Sequence, residues 1–180
     1  MGERAVRILA ISGSLRAVSV NTAVLRAAQA LAPEGVEVIL YEALGELPHF
    51  NPDLEEHEPA AVTGFRVQVR AADGLLISSP EYAHGVPGVL KNALDWLVGG
   101  EEFIDKPVAL LNATPPGEYA QASLTETVRV MSGRLVPEAS IAVPLRGSKL
   151  DAEGIAARPE IAASLRAALR AFADAIRLDE

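Results

Sequence analysis

Short apolar runs alternate along this chain with stretches in which apolar side chains return every third or fourth position. The first pattern suits a strand and the second one face of a helix. Val6–Ser12 ("VRILAIS") reads as a strand, and Val24, Leu25, Ala28 and Leu31 then mark a helix over 22–31 that Gly35 ends. Val36–Tyr41 is a second strand, followed by an irregular, proline-bearing stretch over 42–59. Val62, Phe65, Val69 and Ala72 form a second helical stripe, and 74–79 ("GLLISS") is a continuous apolar strand of the kind buried on both faces of a sheet. Pro87 opens a third helix at a first-turn position, with Leu90, Ala93, Leu94 and Leu97 inward and Lys91 and Asp95 outward as an i,i+4 pair. A fourth strand covers 108–113. Leu124, Val128 and Met131 carry a weaker helix that stops at Gly133, 140–143 is a fifth strand, and 159–176 closes the chain with Leu165, Leu169, Phe172 and Ile176 on one stripe.

Such an alternation predicts an α/β architecture, a doubly wound parallel sheet with right-handed crossovers, over a single domain spanning 1–180. In open sheets of this kind ligands lie outside the carboxyl ends of the strands, where the winding direction switches. Three segments therefore share the expected working edge: 12–22 after the first strand, 79–87 after the third and 113–122 after the fourth.

Composition narrows the chemistry available there. The formal net charge is −8 and the basic residues are scattered, which argues against a nucleic-acid or anionic-membrane surface. The chain has no cysteine, so thiolate nucleophiles, disulfides and cysteine-held metal centres are excluded, and any redox chemistry has to come from a cofactor. The apolar run in "MGERAVRILAISGS" is too short for a secretory signal, and no run reaches the roughly 18 residues of a membrane helix. A cytoplasmic protein is expected.

The segment "SGSLRAVSVNT" (12–22) crowds hydroxyls, one amide and one guanidinium into a strand-to-helix turn. It has no Gly-Lys-Ser/Thr and no G-x-G-x-x-G, so nucleoside triphosphates and dinucleotides of the usual kind lose ground. A terminal phosphate monoester suits it better. Ser14, Ser19, Asn21 and Thr22 offer donors, Arg16 offers a fork, and a helix N-terminus follows. The plainer alternative is that Ser19 caps the helix and the rest is polar turn. In "SSPEYAHGVPGVLKNALDWL" (78–97), Pro80 stiffens a loop in which Gly85 and Gly88 permit close backbone approach. Backbone N–H groups of Glu81 and Tyr82 can face the polar edge of a flat heteroaromatic ring, and Tyr82 adds an apolar face with a polar tip.

"GSLRAVSVN" (13–21), followed about sixty residues later by "SPEYAHGVPGVLKNALDW" (79–96), resembles the NAD(P)H-dependent FMN reductases, flavodoxin-like proteins that include quinone, chromate and azo-compound reductases. The likeness runs over nearly the whole chain. It implies a five-stranded flavodoxin-like sheet in the order 2-1-3-4-5 with helices on both faces. It also implies FMN bound with its phosphate on Ser14, Arg16, Ser19, Asn21 and Thr22 and its ring beside Pro80, Glu81, Tyr82 and Gly85. NADPH or NADH would pass hydride to the flavin, and a quinone or similar small acceptor would then take its place in a ping-pong cycle. A homodimer or homotetramer is implied too, with the helix over 87–97 near the subunit contact. No side chain is assigned as an acid or base, because the resemblance requires none.

The third loop departs from the family pattern. Where family members commonly carry a Gly-rich turn, this chain reads "NATPPGEYAQAS" (112–123). For flavin contacts by Thr114, Pro115 and Gly117 three readings stay open: the loop meets the ring through backbone groups, Glu118 and Tyr119 narrow the pocket and change substrates, or the loop marks a weakened flavin site. Other constellations read more plainly. "HFNPDLEEHE" (49–58) is an acidic, solvated loop with no metal assigned, Trp96 belongs to core or interface, and His84 is a loop histidine able to touch substrate. Arg146, Lys149 and Arg158 are solvated charges or contacts to a nicotinamide nucleotide's phosphates. Two further readings stay open: a flavodoxin-like electron carrier, and a flavin-free binding or regulatory protein on the same fold.

Overall fold

The computed structural model describes residues 4–178, so the first three and last two positions of the expected 1–180 domain lie outside the described residues. All strand pairings are parallel, in the order β2-β1-β3-β4-β5 (β1 Val6–Ser12, β2 Val36–Tyr41, β3 Gly74–Ser78, β4 Pro107–Asn112, β5 Arg134–Leu135), and a further strand, β6 (Ile141–Ala142), also pairs with β4. The sheet is the doubly wound one the alternation predicts.

Side chains on each central strand alternate between two apolar cores. Ile8, Ala10, Leu76, Ala109 and Leu111 face one core, closed by α1 (Val20–Ala30), α5 (Ala152–Ala156) and α6 (Pro159–Arg177). Leu9, Ile11, Leu75, Ile77, Val108 and Leu110 face the other, closed by α2 (Ala60–Ala71), α3 (Gly88–Val98) and α4 (Glu118–Val130). Covering both faces explains why these strands are apolar throughout rather than alternating. Trp96, 2% exposed, belongs to the second core; its indole N–H donates to the Pro48 carbonyl at 2.8 Å, and Phe50 meets it edge-on at 5.0 Å.

Several boundaries differ from expectation. The first helix begins at Val20, two residues early, because the Ser19 hydroxyl accepts the Thr22 N–H at 3.4 Å and sets the start. Pro87 is the residue before α3 rather than within its first turn. The stretch over 42–59 contains two short 3₁₀ turns, Leu44–Glu46 and Pro52–His57, and α5 occupies part of a region without helical periodicity. The fifth strand is split: β5 lies beside the start of β4 and β6 beside its end, with a 3₁₀ turn at Pro137–Ala139 between them.

Register sets the working edge. Ser12 lies opposite Ser78, and Ser78 opposite Leu111, so the loops leaving β1, β3 and β4 emerge at one level. Gly13 suits that exit, because a Cβ there would lie 2.9 Å from the Ser79 hydroxyl and 3.1 Å from a Leu90 methyl, so those side chains would have to shift.

Candidate active site

A cleft of about 530 Å³ opens at this edge, within the range of small-ligand sites. Its first wall is the loop leaving β1 and the start of α1. Backbone and hydroxyl groups tie that loop to itself: Ser14 N–H donates to the Ser12 hydroxyl at 3.3 Å, and Arg16 N–H to the Ser14 hydroxyl at 3.4 Å. The first N–H groups of α1, those of Val20 and Asn21, have no intrahelical partner by geometry, and both residues line the cleft. Asn21 is buried at 3% exposure, and its Oδ1 accepts from the Ser78 hydroxyl at 2.9 Å, which fixes the amide's orientation from the neighbouring strand.

The loop after β3 forms the second wall. Tyr82 and Gly85 exchange backbone hydrogen bonds at 3.1 and 2.9 Å, closing a two-residue turn in which Ala83 (φ 50°) and His84 (φ 59°) both take the left-handed conformation. Such geometry is costly for residues with a Cβ and persists only where surrounding structure holds it. Glu81 supplies part of that hold. Its carboxylate accepts the Ala120 N–H at 2.8 Å, capping α4 from another loop, where Gly117 offers no side chain of its own. The His84 ring then stacks on Tyr119, also in the first turn of α4, with centroids 4.1 Å apart and planes 18° from parallel.

The third wall comes from the loop after β4. Asn112 braces it by accepting the Thr114 N–H at 3.1 Å and donating to the Pro116 carbonyl at 3.0 Å, while Gly117 turns into α4 with φ 39°. Leu145 N–H reaches the Ala113 carbonyl at 3.1 Å, and this contact carries Arg146 to the cleft.

Of the residues given flavin contacts from sequence, Ser14, Arg16, Ser19, Asn21, Pro80, Glu81, Tyr82, Thr114 and Gly117 line this one cleft. Thr22, Gly85 and Pro115 do not. The Thr22 hydroxyl turns inward to Ser12 at 2.8 Å and borders an adjoining depression, with Arg26 and Tyr41, that shares Ser14 and Arg16 with the cleft. Gly85 closes the turn beneath Tyr82, and its φ is ordinary, so the conformational freedom expected of glycine is used by Ala83 and His84 instead. The Tyr82 N–H, expected to face a ring edge, is taken by the Gly85 carbonyl; the Glu81 N–H carries no hydrogen bond within the described residues. Sequence reasoning did not select Val20 or Pro116 as lining residues. It weighed His84, Tyr119 and Arg146 without choosing them, and all three line the cleft, whereas Lys149 and Arg158 do not.

Electrostatically the cleft departs from the molecule around it. Although the chain carries a net charge of −8, Arg16 and Arg146 both border the cleft exposed, and neither has a carboxylate partner among the described residues. Of its two bordering carboxylates, Glu81 is held by the α4 backbone. Exposed cations beside unfilled helix N–H groups suit a compact anion. Elsewhere, among the described residues, no three His, Asp or Glu side chains converge as a metal site would require. In the 49–58 loop, Glu58 is engaged by Arg66 at 2.7 Å.

Residues 6–146 match the family model for NADPH-dependent FMN reductase. The chain belongs to that family. The members couple FMN to NAD(P)H, and this chain is accordingly an oxidoreductase with FMN as cofactor and NAD(P)H as electron donor. It is 37% identical over 156 residues to the NAD(P)H-dependent FMN reductase PA1204 of Pseudomonas aeruginosa, covering 83% of each chain. It is 35% identical over 184 residues to the probable NADPH:quinone oxidoreductase 2 of Oryza sativa subsp. japonica, covering 94% of this chain and 90% of the relative. Among solved structures, FerB, a flavoenzyme NAD(P)H:(acceptor) oxidoreductase from Paracoccus denitrificans, superposes with a TM-score of 0.78 at 28% identity, covering 96% and 97% of the two chains. The donor set fits the group that the family carries. A monophosphate tail needs several N–H or O–H donors and a cation, and Ser14, Ser19, Arg16 and the open end of α1 border one side of the cleft. A flat ring needs a stiff wall beside them, and the Pro80–Tyr82 turn provides it.

Proposed function

We propose that this FMN reductase family member, acting as one flavin-binding unit over 1–180, reduces quinones or similar small acceptors by a ping-pong cycle with NAD(P)H. The observation that carries the reading is the meeting, in one cleft, of an anion-binding helix end with Arg16 and of a rigid aromatic turn on the next strand but one in sequence. When bound, FMN supplies the two-electron chemistry, taking hydride from NAD(P)H and delivering electrons to the acceptor.

The chain's own residues position and polarise. Arg16 and the N–H groups of Val20 and Asn21 hold the phosphate, with the Ser14 and Ser19 hydroxyls as further donors. Ser78 keeps Asn21 in place from β3, so the phosphate end and the ring end are built on adjacent strands and move as one body. On the ring side the Glu81 N–H is free to donate to the cofactor's polar edge. Pro80 and the closed Tyr82–Gly85 turn keep that donor from drifting. No acid or base is assigned. Among the described residues no helix is long and apolar enough to cross a membrane, and we extend this to a cytoplasmic enzyme. Exposed Leu15, Val18 and Val98 give it apolar surface for self-association as a dimer or tetramer.

Titration of apo-protein with FMN, followed by anaerobic addition of NADPH or NADH, tests the reading. The expected result is a yellow protein that bleaches with the nucleotide and recolours when a quinone is added. A protein that takes up FMN yet is reduced only by a separate reductase is an electron carrier. One that stays colourless in excess FMN is neither.

A further inference from the structure

We infer that the stacked pair His84 and Tyr119 is a specificity-determining shelf for the electron acceptor, selecting flat acceptors of two fused rings over compact or non-aromatic ones. The inference rests on the oxidoreductase reading above and deepens it.

Exposed aromatic surface is the starting point. Of the aromatic side chains, those of Tyr41, Phe65, Trp96, Phe103 and Phe172 are buried, and Phe50 is half-buried. Among the described residues the exposed ones are Tyr82 (51%) and Tyr119 (59%), and both lie at the same cleft. Leaving two tyrosine rings in water forfeits the burial that such rings ordinarily contribute to a core. Concentrating them at one mouth makes a site for another flat ring.

The second observation is how the shelf is held. His84 stacks on Tyr119 although its own backbone sits at φ 59°, next to Ala83 at φ 50°. The reciprocal Tyr82–Gly85 bonds keep that turn closed, and the Glu81 carboxylate on Ala120 N–H fixes the spacing between the turn and α4. Two loops that leave different strands are thereby locked into one aromatic surface. Neither the imidazole nor the Tyr119 hydroxyl has a hydrogen-bond partner among the described residues, so both polar tips remain available to a carbonyl oxygen. A naphthoquinone offers that combination, a two-ring face and carbonyl edges. In the reaction NAD(P)H becomes NAD(P)⁺, and its hydride together with one proton from water converts the quinone to the hydroquinone.

The test compares wild type, His84→Ala, Tyr119→Ala and Tyr119→Phe as FMN-loaded proteins. Each is assayed for FMN affinity, for anaerobic bleaching by NADPH, and for kcat/KM with 1,4-naphthoquinone, 1,4-benzoquinone and ferricyanide. Both alanine variants are expected to lose roughly 3- to 10-fold in kcat/KM for naphthoquinone, the worth of one aromatic stack. Benzoquinone should fall less and ferricyanide should not change. Tyr119→Phe, which keeps the face, should retain most of the naphthoquinone rate. FMN affinity and NADPH bleaching are measured on the same variants, and the loss for naphthoquinone should exceed any change in either.

A uniform loss across all three acceptors, or a matching loss of FMN affinity, overturns the shelf by making the pair part of the flavin's own site. Unchanged naphthoquinone kinetics overturn it as well, as does a shift of oligomeric state in Tyr119→Ala that accounts for the loss. Wild-type protein that holds FMN but does not bleach with either nucleotide overturns the oxidoreductase reading first, and the shelf with it.

Discussion

At the scale of single residues, the cleft separates side chains that face the ligand from those that shape the loops. Arg16 is exposed and without a carboxylate partner among the described residues, whereas Thr22, its neighbour in the same motif, spends its hydroxyl on Ser12. Both are phosphate donors on the sequence reading, and they differ in where they point. Removing Arg16 and the Ser14 hydroxyl together should therefore weaken FMN far more than riboflavin, which has the same ring but no phosphate. With charge-assisted bonds worth about 1.5–3 kcal/mol each, Arg16→Ala with Ser14→Ala should lower FMN affinity by at least about 100-fold and riboflavin affinity little. Parallel titrations of the apo variants check this, and equal weakening of both ligands would refute the phosphate assignment. Hydroxyl-rich turns and proline-led loops are local patterns, so seven of the nine residues they point to border the cleft. The rest depends on non-local geometry. The freedom that the sequence suggests for Gly85 is used by Ala83 and His84, and Arg146 reaches the cleft only because Leu145 N–H bonds to Ala113 across the sheet edge, a pairing with no trace in the local sequence.

At the scale of elements, the strands buried on both faces were legible because both of their faces are apolar, and α6 because its apolar stripe is long enough to establish a period. The sheet's fifth position was not legible. β5 and β6 are two residues each, too short for any periodicity, and Pro137 interrupts them. The interruption would leave the N–H of Leu110, on the 2%-exposed central part of β4, without a ladder partner. Ser140 fills the gap, its hydroxyl accepting that N–H at 3.1 Å and donating to the Val136 carbonyl at 2.9 Å. One side chain thus stands in for a missing backbone rung, a role that the sequence shows only as the first residue of an expected strand. Ser140→Ala should cost about 1–3 kcal/mol by leaving the Leu110 N–H unpaired, readable as a lower urea midpoint with an unchanged m-value. Ser140→Cys, which keeps a weak acceptor, should lie between. A Ser140→Ala protein as stable as wild type would mean that the split edge is held by packing alone.

At the scale of the whole molecule, binding chemistry and acid stability sit at opposite ends of the sheet. The cleft lies at the carboxyl ends of the strands, while Asp73 stands immediately before β3, at their amino ends. There it accepts from the Arg4 guanidinium at 2.9 and 3.0 Å and from the Arg7 N–H at 2.8 Å, joining the chain entering β1 to the chain entering β3. Burial works against the Asp73 charge, but those hydrogen bonds, with the positive charges of Arg4 and Lys106, prevail and hold its carboxyl below the ordinary carboxylate range. A group whose proton affinity is lower folded than unfolded stabilises the fold fully above its unfolded value, and that contribution is lost as pH falls through the folded value. Asp73→Asn should therefore lower stability by about 1–2 kcal/mol near neutrality. The difference from wild type should shrink as pH drops below about 5 and the Asp73 carboxylate takes up its proton. Urea midpoints of the two proteins across that range measure the convergence. Because no part of this clamp touches the cleft, FMN affinity of Asp73→Asn at neutral pH should equal that of wild type. A stability gap that does not narrow at all as pH falls would show that shape, not charge, makes the clamp, and a loss of FMN affinity would show that the two ends of the sheet are coupled.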